Sequence, residues 1–347
     1  MKDRINMNEK MNIQPIVSIV MPVYNAREFV EDTVDSILMQ SYKDFELIIV
    51  DDGSTDGSYE ICKSIGEQDG RVKVFHQSNH GLCYSRNRAI EMACGKYIAF
   101  CDHDDYYEKH YLKILVNEAE NNQVQLVKGK YKGIVLQNGK EIESVERGYK
   151  EGIIDIQDLL SDYRLFSTTI NVLWNGLYLS SIIKNNDIRF DERFKNGCED
   201  NSFNLDYLTH VKAIAGINNL LYTHVRRVGV SASLGFKPNR IDDYQVIFKK
   251  EALFLEQYRD YISDRNYMRH QSRFINLLRN ELQFDDCPWT FTEKTNRIMI
   301  FMNSTYEFKK IGLKSILQYL MKNRQFTIRW LLYHYKCCRA LLLSWKA

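Results

Sequence analysis

KYIAFCDHDDYY, residues 96–107, sets an apolar run of strand length, residues 96–101, directly against three aspartates and a histidine. Grouping Asp102, His103, Asp104 and Asp105 in this way packs nothing and brings like charges together. The cluster is therefore either a solvated acidic turn or a place where something cationic binds. In an extended chain alternate side chains share a face, so Asp102 and Asp104 are expected to point one way and His103 and Asp105 the other. Two carboxylates on one side suit Mg²⁺ or Mn²⁺, hard cations that take oxygen ligands and keep places for water and phosphate.

Working outward, residues 16–23 (IVSIVMPV), 45–50 (FELIIV) and 71–75 (RVKVF) are further apolar runs of strand length. Segments of helical length, 27–40, 56–68 and 82–94, separate them. This alternation predicts βαβ units in an open, mainly parallel sheet, the Rossmann-like half of an α/β protein. In such sheets ligands sit beyond the carboxyl ends of the strands. Polar clusters stand at those ends: Tyr24-Asn25, Asp51-Asp52-Gly53-Ser54 and Asp102 to Asp105.

After a helix near 108–121 the pattern predicts strands around 124–136, with Gln137-Asn138-Gly139-Lys140 as a hairpin turn. Trp174-Asn175-Gly176 follows, then Glu199-Asp200 at a helix start and a strand near 213–223. From about residue 238 the chain reads as helical, with Ile241, Tyr244, Phe248, Ala252 and Leu255 on one apolar face. The expected division is an N-terminal extension, 1–15, a catalytic or binding domain, 16–236, and a helical C-terminal region, 237–347.

With 347 residues, 44% of them hydrophobic and 27% charged, the chain can bury an ordinary core. The net charge of +2 is uneven: residues 301–347 hold nine Lys or Arg against Glu307 alone. Eight cysteines show no Cys-x-x-Cys pair, so neither zinc nor a disulfide framework is favoured, and reduced thiols in a cytoplasmic protein fit best. Residues 1–15 lack the apolar centre of a secretory signal, and no run of about 18 apolar residues predicts a spanning helix. No nucleic-acid reading motif accompanies the basic residues.

Five ordered motifs over residues 16 to about 233 resemble the family 2 glycosyltransferases, inverting GT-A enzymes that use nucleotide-diphosphate sugars. They are Val17-Ser18-Ile19-Val20-Met21-Pro22-Val23-Tyr24-Asn25, Ile49-Val50-Asp51-Asp52-Gly53-Ser54-Thr55-Asp56, Gly81 with Arg86-Asn87, Asp102-His103-Asp104-Asp105, and Glu199-Asp200. The resemblance implies that Pro22, Tyr24, Asn25, Asp52, Gly53 and Ser54 hold the nucleotide. Tyr24 offers a face for the base and Asp52 an acceptor for a base N–H. It further implies that Asp102 contacts ribose or metal-bound water, that Asp104 ligates Mn²⁺ or Mg²⁺, and that Asp200, beside Glu199, is the catalytic base. An ordinary aspartate, with a pKa of about 3.9, is already ionised for that task. Arg86, just inside a helix, is expected to meet diphosphate or nucleotide.

Two departures from the family stand out. Gly81-Leu82-Cys83-Tyr84-Ser85-Arg86-Asn87 has serine where the family has alanine. After Tyr222-Thr223-His224-Val225-Arg226-Arg227 and Ser231-Ala232-Ser233, Leu234 stands where many relatives place a metal-binding histidine. His224 is one candidate to replace it as a metal ligand, and Arg226 a candidate for the diphosphate; each is otherwise an ordinary folded or solvated side chain. Trp174 either stacks on an acceptor sugar or packs in the core. The tail, residues 309–347, mixes cations with Trp330 and leucines, which suits either an anionic membrane surface or a packed helix with a basic face. The expected function is sugar transfer to a carbohydrate or lipid-linked glycan acceptor in bacterial surface polysaccharide assembly. The alternative is a non-catalytic nucleotide-sugar-binding scaffold of such an assembly.

Overall fold

The computed structural model describes residues 14–267, and beyond them 269, 273, 274, 277, 287–290, 293, 294 and 297. The first strands and helices are β1 (Val17–Val23), α1 (Val30–Leu38), β2 (Phe45–Asp51), α2 (Ser58–Gln68), β3 (Val72–His76), α3 (Leu82–Met92) and β4 (Tyr97–Phe100). Every residue of β1, β2 and β4 is buried, which is why these strands read as continuous apolar runs and not as alternating ones. β1 pairs in parallel with β2 and β4, and β2 with β3. The α/β expectation holds here, with α3 packed on β1 and β2.

The remaining elements are β5 (Tyr106–Tyr107), α4 (Tyr111–Asn122), β6 (Leu126–Gln137), β7 (Lys140–Arg147), β8 (Gly152–Asp155), α5 (Ile156–Ser161) and α6 (Tyr163–Asn171). They continue with β9 (Gly176–Leu179), α7 (Ser180–Asn185), α8 (Glu199–Leu208), β10 (Ala213–Arg227) and α9 (Arg240–Gln257). The sheet runs β3-β2-β1-β4-β9-β6-β10-β5, with β7 on β6 and β8 on β10. β9 is antiparallel to both β4 and β6, whereas β6 and β10 are parallel, so the second half of the sheet is mixed. The expected turn closes the β6–β7 hairpin: Asn138 (φ 51°) and Gly139 (φ 74°) both lie in the left-handed region that a two-residue primed turn demands.

An aromatic cluster fixes α8 against the sheet. Phe203 stacks on Phe190 at 4.4 Å, and Phe100 meets Phe203, Phe190 and Tyr178 edge-on at 5.7, 5.8 and 5.5 Å. The chain divides into two compact units after Asp243, within α9. Ile241, Tyr244, Phe248, Ala252 and Leu255 are all buried, as the apolar spacing predicts. The basic tail lies outside the described residues.

One local expectation is met and extended, and one fails. β10 continues to Arg227, so His224, Arg226 and Arg227 are strand residues paired with β6. Residues 102–105 are not extended: β4 stops at Phe100 and the Asp105 N–H returns to the Asp102 carbonyl at 3.3 Å, closing a turn. The two-by-two alternation of the acidic cluster therefore does not exist. Each of its side chains has its own environment.

Candidate active site at the strand ends

Registers Val23↔Asp51 and Val20↔Phe100 bring the carboxyl ends of β1, β2 and β4 to one edge of the molecule. There Asn25 N–H donates to Ser54 Oγ (2.9 Å) and Asn25 Oδ1 accepts from Thr55 N–H (2.9 Å), clipping the two loops together. Tyr24 keeps 47% of its surface exposed. Gly53 sits at φ +77°, and a Cβ there would lie 2.9 Å from the Asn79 nitrogen, so only glycine lets the loops approach. Pro22 contributes its carbonyl, which accepts from His103 Nδ1 at 3.2 Å.

Asp52 is only 4% exposed and its carboxylate accepts from Gln77 Nε2 (2.7 Å), His80 N–H (2.9 Å) and Gly81 N–H (2.7 Å). Burial alone would raise its pKa; these bonds outweigh burial and hold it below the usual value. The carboxylate thus braces the loop after β3, and its acceptor capacity for a base is largely spent. Sequence reasoning missed Gln77 and His80. The polar run Gln77-Ser78-Asn79-His80 at the end of β3 was the available signal.

Arg86 is the largest correction. Expected at diphosphate, it is 3% exposed and bound to three carboxylates: Asp102 Oδ1 (2.9 Å), Asp200 Oδ1 (3.0 Å) and Glu199 Oε1 (3.2 Å). Its guanidinium also lies 5.1 Å from the Phe190 ring centre. Burial would lower its pKa, but Asp200, Asp102 and Glu199 outweigh burial and keep it charged. One fork of donors therefore ties α3, the turn after β4 and the first turn of α8 together. Asp200 gains less than it loses there: burial first, then Glu199 and Asp102, raise it to about 7 despite Arg86. Its proton affinity is that of a near-neutral base, not of an ordinary aspartate.

Asp104 Oδ2 accepts from Arg227 Nη1 at 3.0 Å, and that guanidinium covers the Phe29 ring at 3.9 Å. Burial, then Asp105 and Asp102, push Asp104 up to about 6. Arg227, not its neighbour, is thus the cation at the acidic turn. Arg226 Nε is buried with no hydrogen-bond partner among the described residues. Asp105 is fully buried and accepts from Tyr222 OH (2.7 Å), Val225 N–H (2.7 Å) and His224 Nδ1 (3.0 Å).

Those bonds decide two further candidates. His224 is held by Asp105 and lies 5.1 Å from Trp174, ring centre to ring centre. Burial would lower its pKa, but Asp105, Asp102 and Asp104 raise it. Its ring is a partner of Asp105 rather than a third ligand: among the described residues no group of three His, Cys, Asp or Glu is arranged to hold a metal. Trp174 is 5% exposed, stacks on Tyr222 at 4.4 Å and meets Tyr131 edge-on at 4.6 Å. It is a packing residue with no open face for an acceptor sugar.

A divalent cation nonetheless fits the acidic turn. Asp102 and Asp104 each give one oxygen to an arginine, and Asp102 Oδ2 and Asp104 Oδ1 have no hydrogen-bond partner among the described residues. Two hard oxygens in a crowd of carboxylates suit Mg²⁺ or Mn²⁺ completed by phosphate and water.

Residues 18–185 match the model of the family described as Glycosyl transferase family 2. A Bacillus subtilis (strain 168) protein named Uncharacterized glycosyltransferase EpsJ is 30% identical over 253 residues, 70% of this chain and 71% of that protein. An uncharacterized glycosyltransferase of Haemophilus influenzae is 35% identical over 245 residues, 69% of this chain and 90% of that protein. TuaG of B. subtilis, whose name assigns it provisionally to teichuronic acid biosynthesis, is 46% identical over 103 residues, 29% of this chain and 41% of that protein. Among solved structures, S. aureus TarS 1–349 in complex with UDP-GlcNAc shares the fold, with a TM-score of 0.57 at 21% identity over 88% of this chain and 78% of that one. Two relatives matched over most of their own length, and family motifs gathered at one sheet edge, carry the same conclusion: the chain belongs to glycosyl transferase family 2.

Proposed function

We propose that this glycosyltransferase moves a sugar from a nucleotide-diphosphate donor, foremost a UDP-sugar, to a hydroxyl of a carbohydrate acceptor, with inversion and with a divalent metal. The carrying observation is Asp200, raised to about 7 and held by buried Arg86 beside Asp102 at the strand-end edge. Asp200 takes the acceptor proton as the hydroxyl attacks the anomeric carbon from the face opposite the leaving diphosphate. Glu199 shares Arg86 with it and keeps the base oriented. Tyr24 stacks on the nucleobase, while the loop fixed by Asp52 and Gly53 shapes the pocket. Asp102 and Asp104 would hold the metal, which supplies charge compensation for the leaving group.

TarS shares the fold and was crystallised with UDP-GlcNAc, which puts UDP-sugars first in a donor panel. The TuaG similarity supports a surface polysaccharide or lipid-linked glycan as acceptor. We place the reaction at the cytoplasmic membrane face, on the charge of residues 301–347. Incubating purified protein with UDP-, GDP- and dTDP-sugars and Mn²⁺ or Mg²⁺ should release nucleotide slowly from one donor class. Metal-independent release from every donor would overturn the metal reading. Binding without turnover, with any acceptor, would favour the scaffold.

A further inference from the structure

Lys128 on β6 has no exposed surface, and Gly176 makes room for it: a Cβ on residue 176 would lie 2.9 Å from the lysine Cδ. Its Nζ sits 2.6 Å from the Val172 carbonyl, 2.7 Å from Tyr178 OH and 3.2 Å from Asn175 Oδ1. Each of these partners is an acceptor. Asn204 Nδ2 is committed to the carbonyls of Ile170 and Val172, so Asn204 Oδ1 receives the Tyr178 proton at 2.8 Å. Asn175 Nδ2 donates to the Gly129 carbonyl at 3.0 Å, which turns Oδ1 toward the lysine. Three acceptors around one nitrogen require three N–H bonds, and only the ammonium carries three. Burial pulls Lys128 down to about 7 against the opposing charge of Asp200; the three acceptors, each bonded to the charged form, hold the ammonium above that value.

The same bonds lead to the catalytic helix. Asn204 lies one turn beyond Asp200 on α8, and it shares the Val172 carbonyl with Lys128. The groups acting on Asp200 are Arg86 of α3, Glu199 of its own helix, Asp102 after β4 and Lys128. Asp200 in turn acts on Tyr178 of β9 and Cys83 of α3. Three carboxylates share the single guanidinium of Arg86, which leaves an excess of negative charge beside the base. We infer that Lys128 is a positioning residue of the transfer reaction, a buried ammonium that anchors α8 through Tyr178 and Asn204 and supports the negative charge of Asp200. The inference rests on Asp200 being the base.

Lys128→Met keeps the length of the side chain and removes its charge. The acid limb of its kcat/KM profile, read from nucleotide release between pH 5 and 9, should move up by roughly one pH unit. Tyr178→Phe keeps the charge and cuts the link to Asn204, so it should lower turnover without moving that limb. A folded Lys128→Met protein with an unmoved limb overturns the inference. Should that variant not fold, the Nζ resonance of lysine-labelled native protein decides: an ammonium at pH 8 supports the assignment and a neutral amine overturns it. Asp200→Asn separates the two levels. If it abolishes turnover while the Lys128→Met limb stays put, only the role of Lys128 falls. If it retains turnover, the base assignment falls with it, whatever the charge of Lys128.

Discussion

At Arg86, one buried guanidinium decides how three acids behave. Burial raises the proton affinity of Asp200 and Glu199 and Asp102 add to it, while Arg86, shared among the three acids, offsets this only in part and fixes the direction of the Asp200 oxygen. Asp200→Asn preserves the shape and most of the contact to Arg86. Donor affinity should therefore stay nearly unchanged while turnover falls roughly 10²-fold or more, the loss expected of a general base. Calorimetric titration of donor and initial rates check the two halves; near-full activity would remove Asp200 from the base role. Asp104→Ala should do the opposite, weakening metal-dependent donor binding. Its carboxylate keeps one oxygen without a hydrogen-bond partner among the described residues, and Arg227 holds the other.

At the scale of elements, the site depends on how α8 is seated, and Phe203 is the seat. The ring is fully buried, stacked on Phe190 and edge-on to Phe100. Phe203→Ala should cost about 3–5 kcal/mol of stability, read from denaturant midpoints, and should lower turnover because the helix carrying Asp200 loses its anchor. A stability loss under about 1 kcal/mol would mean that the cluster does not hold the helix. The strands of the first half were legible because β1, β2 and β4 are buried on both faces and leave continuous apolar runs. The start of α8 was legible because Glu199-Asp200 sets two acids at a helix N-terminus, where negative charge is favoured. What stayed hidden is pairing at long range. Arg86 reads as a helix-end cation until Asp200, 114 positions away, is seen beside it. Arg227 and Arg226 read alike until β10 is paired with β6. Lys128 reads as one more cation in a polar stretch, since nothing nearby announces its three acceptors.

For the whole molecule, charge governs the pH response, and the proposed membrane location rests on charge as well. Burial and neighbouring acids raise Asp104 to about 6 and Asp200 to about 7, above the value of about 3.9 expected in the unfolded chain. A carboxyl that holds its proton more tightly when folded stabilises the fold only while protonated. That contribution is complete below about pH 4 and is lost as pH rises through 6 to 7. Metal-free protein should therefore melt at lower temperature at pH 7.5 than at pH 5, and Mn²⁺ should restore part of the difference at pH 7.5. Thermal scans that rise across this range would contradict it. Location is the outer counterpart of the same bookkeeping of charge. No helix among the described residues is long and apolar enough to cross a membrane. Residues 301–347 carry nine Lys or Arg against Glu307, an attraction of about 1 kcal/mol for each cation that reaches an anionic leaflet. Lys336 and Arg339 interrupt the apolar residues too often for a span, while Trp330 and the leucines suit the headgroup boundary. Full-length protein should accordingly sediment with anionic liposomes at low salt and come off as salt is raised. Protein that stays in the supernatant at low salt, or a folded variant lacking residues 309–347 that binds equally well, would place the acceptor contact elsewhere.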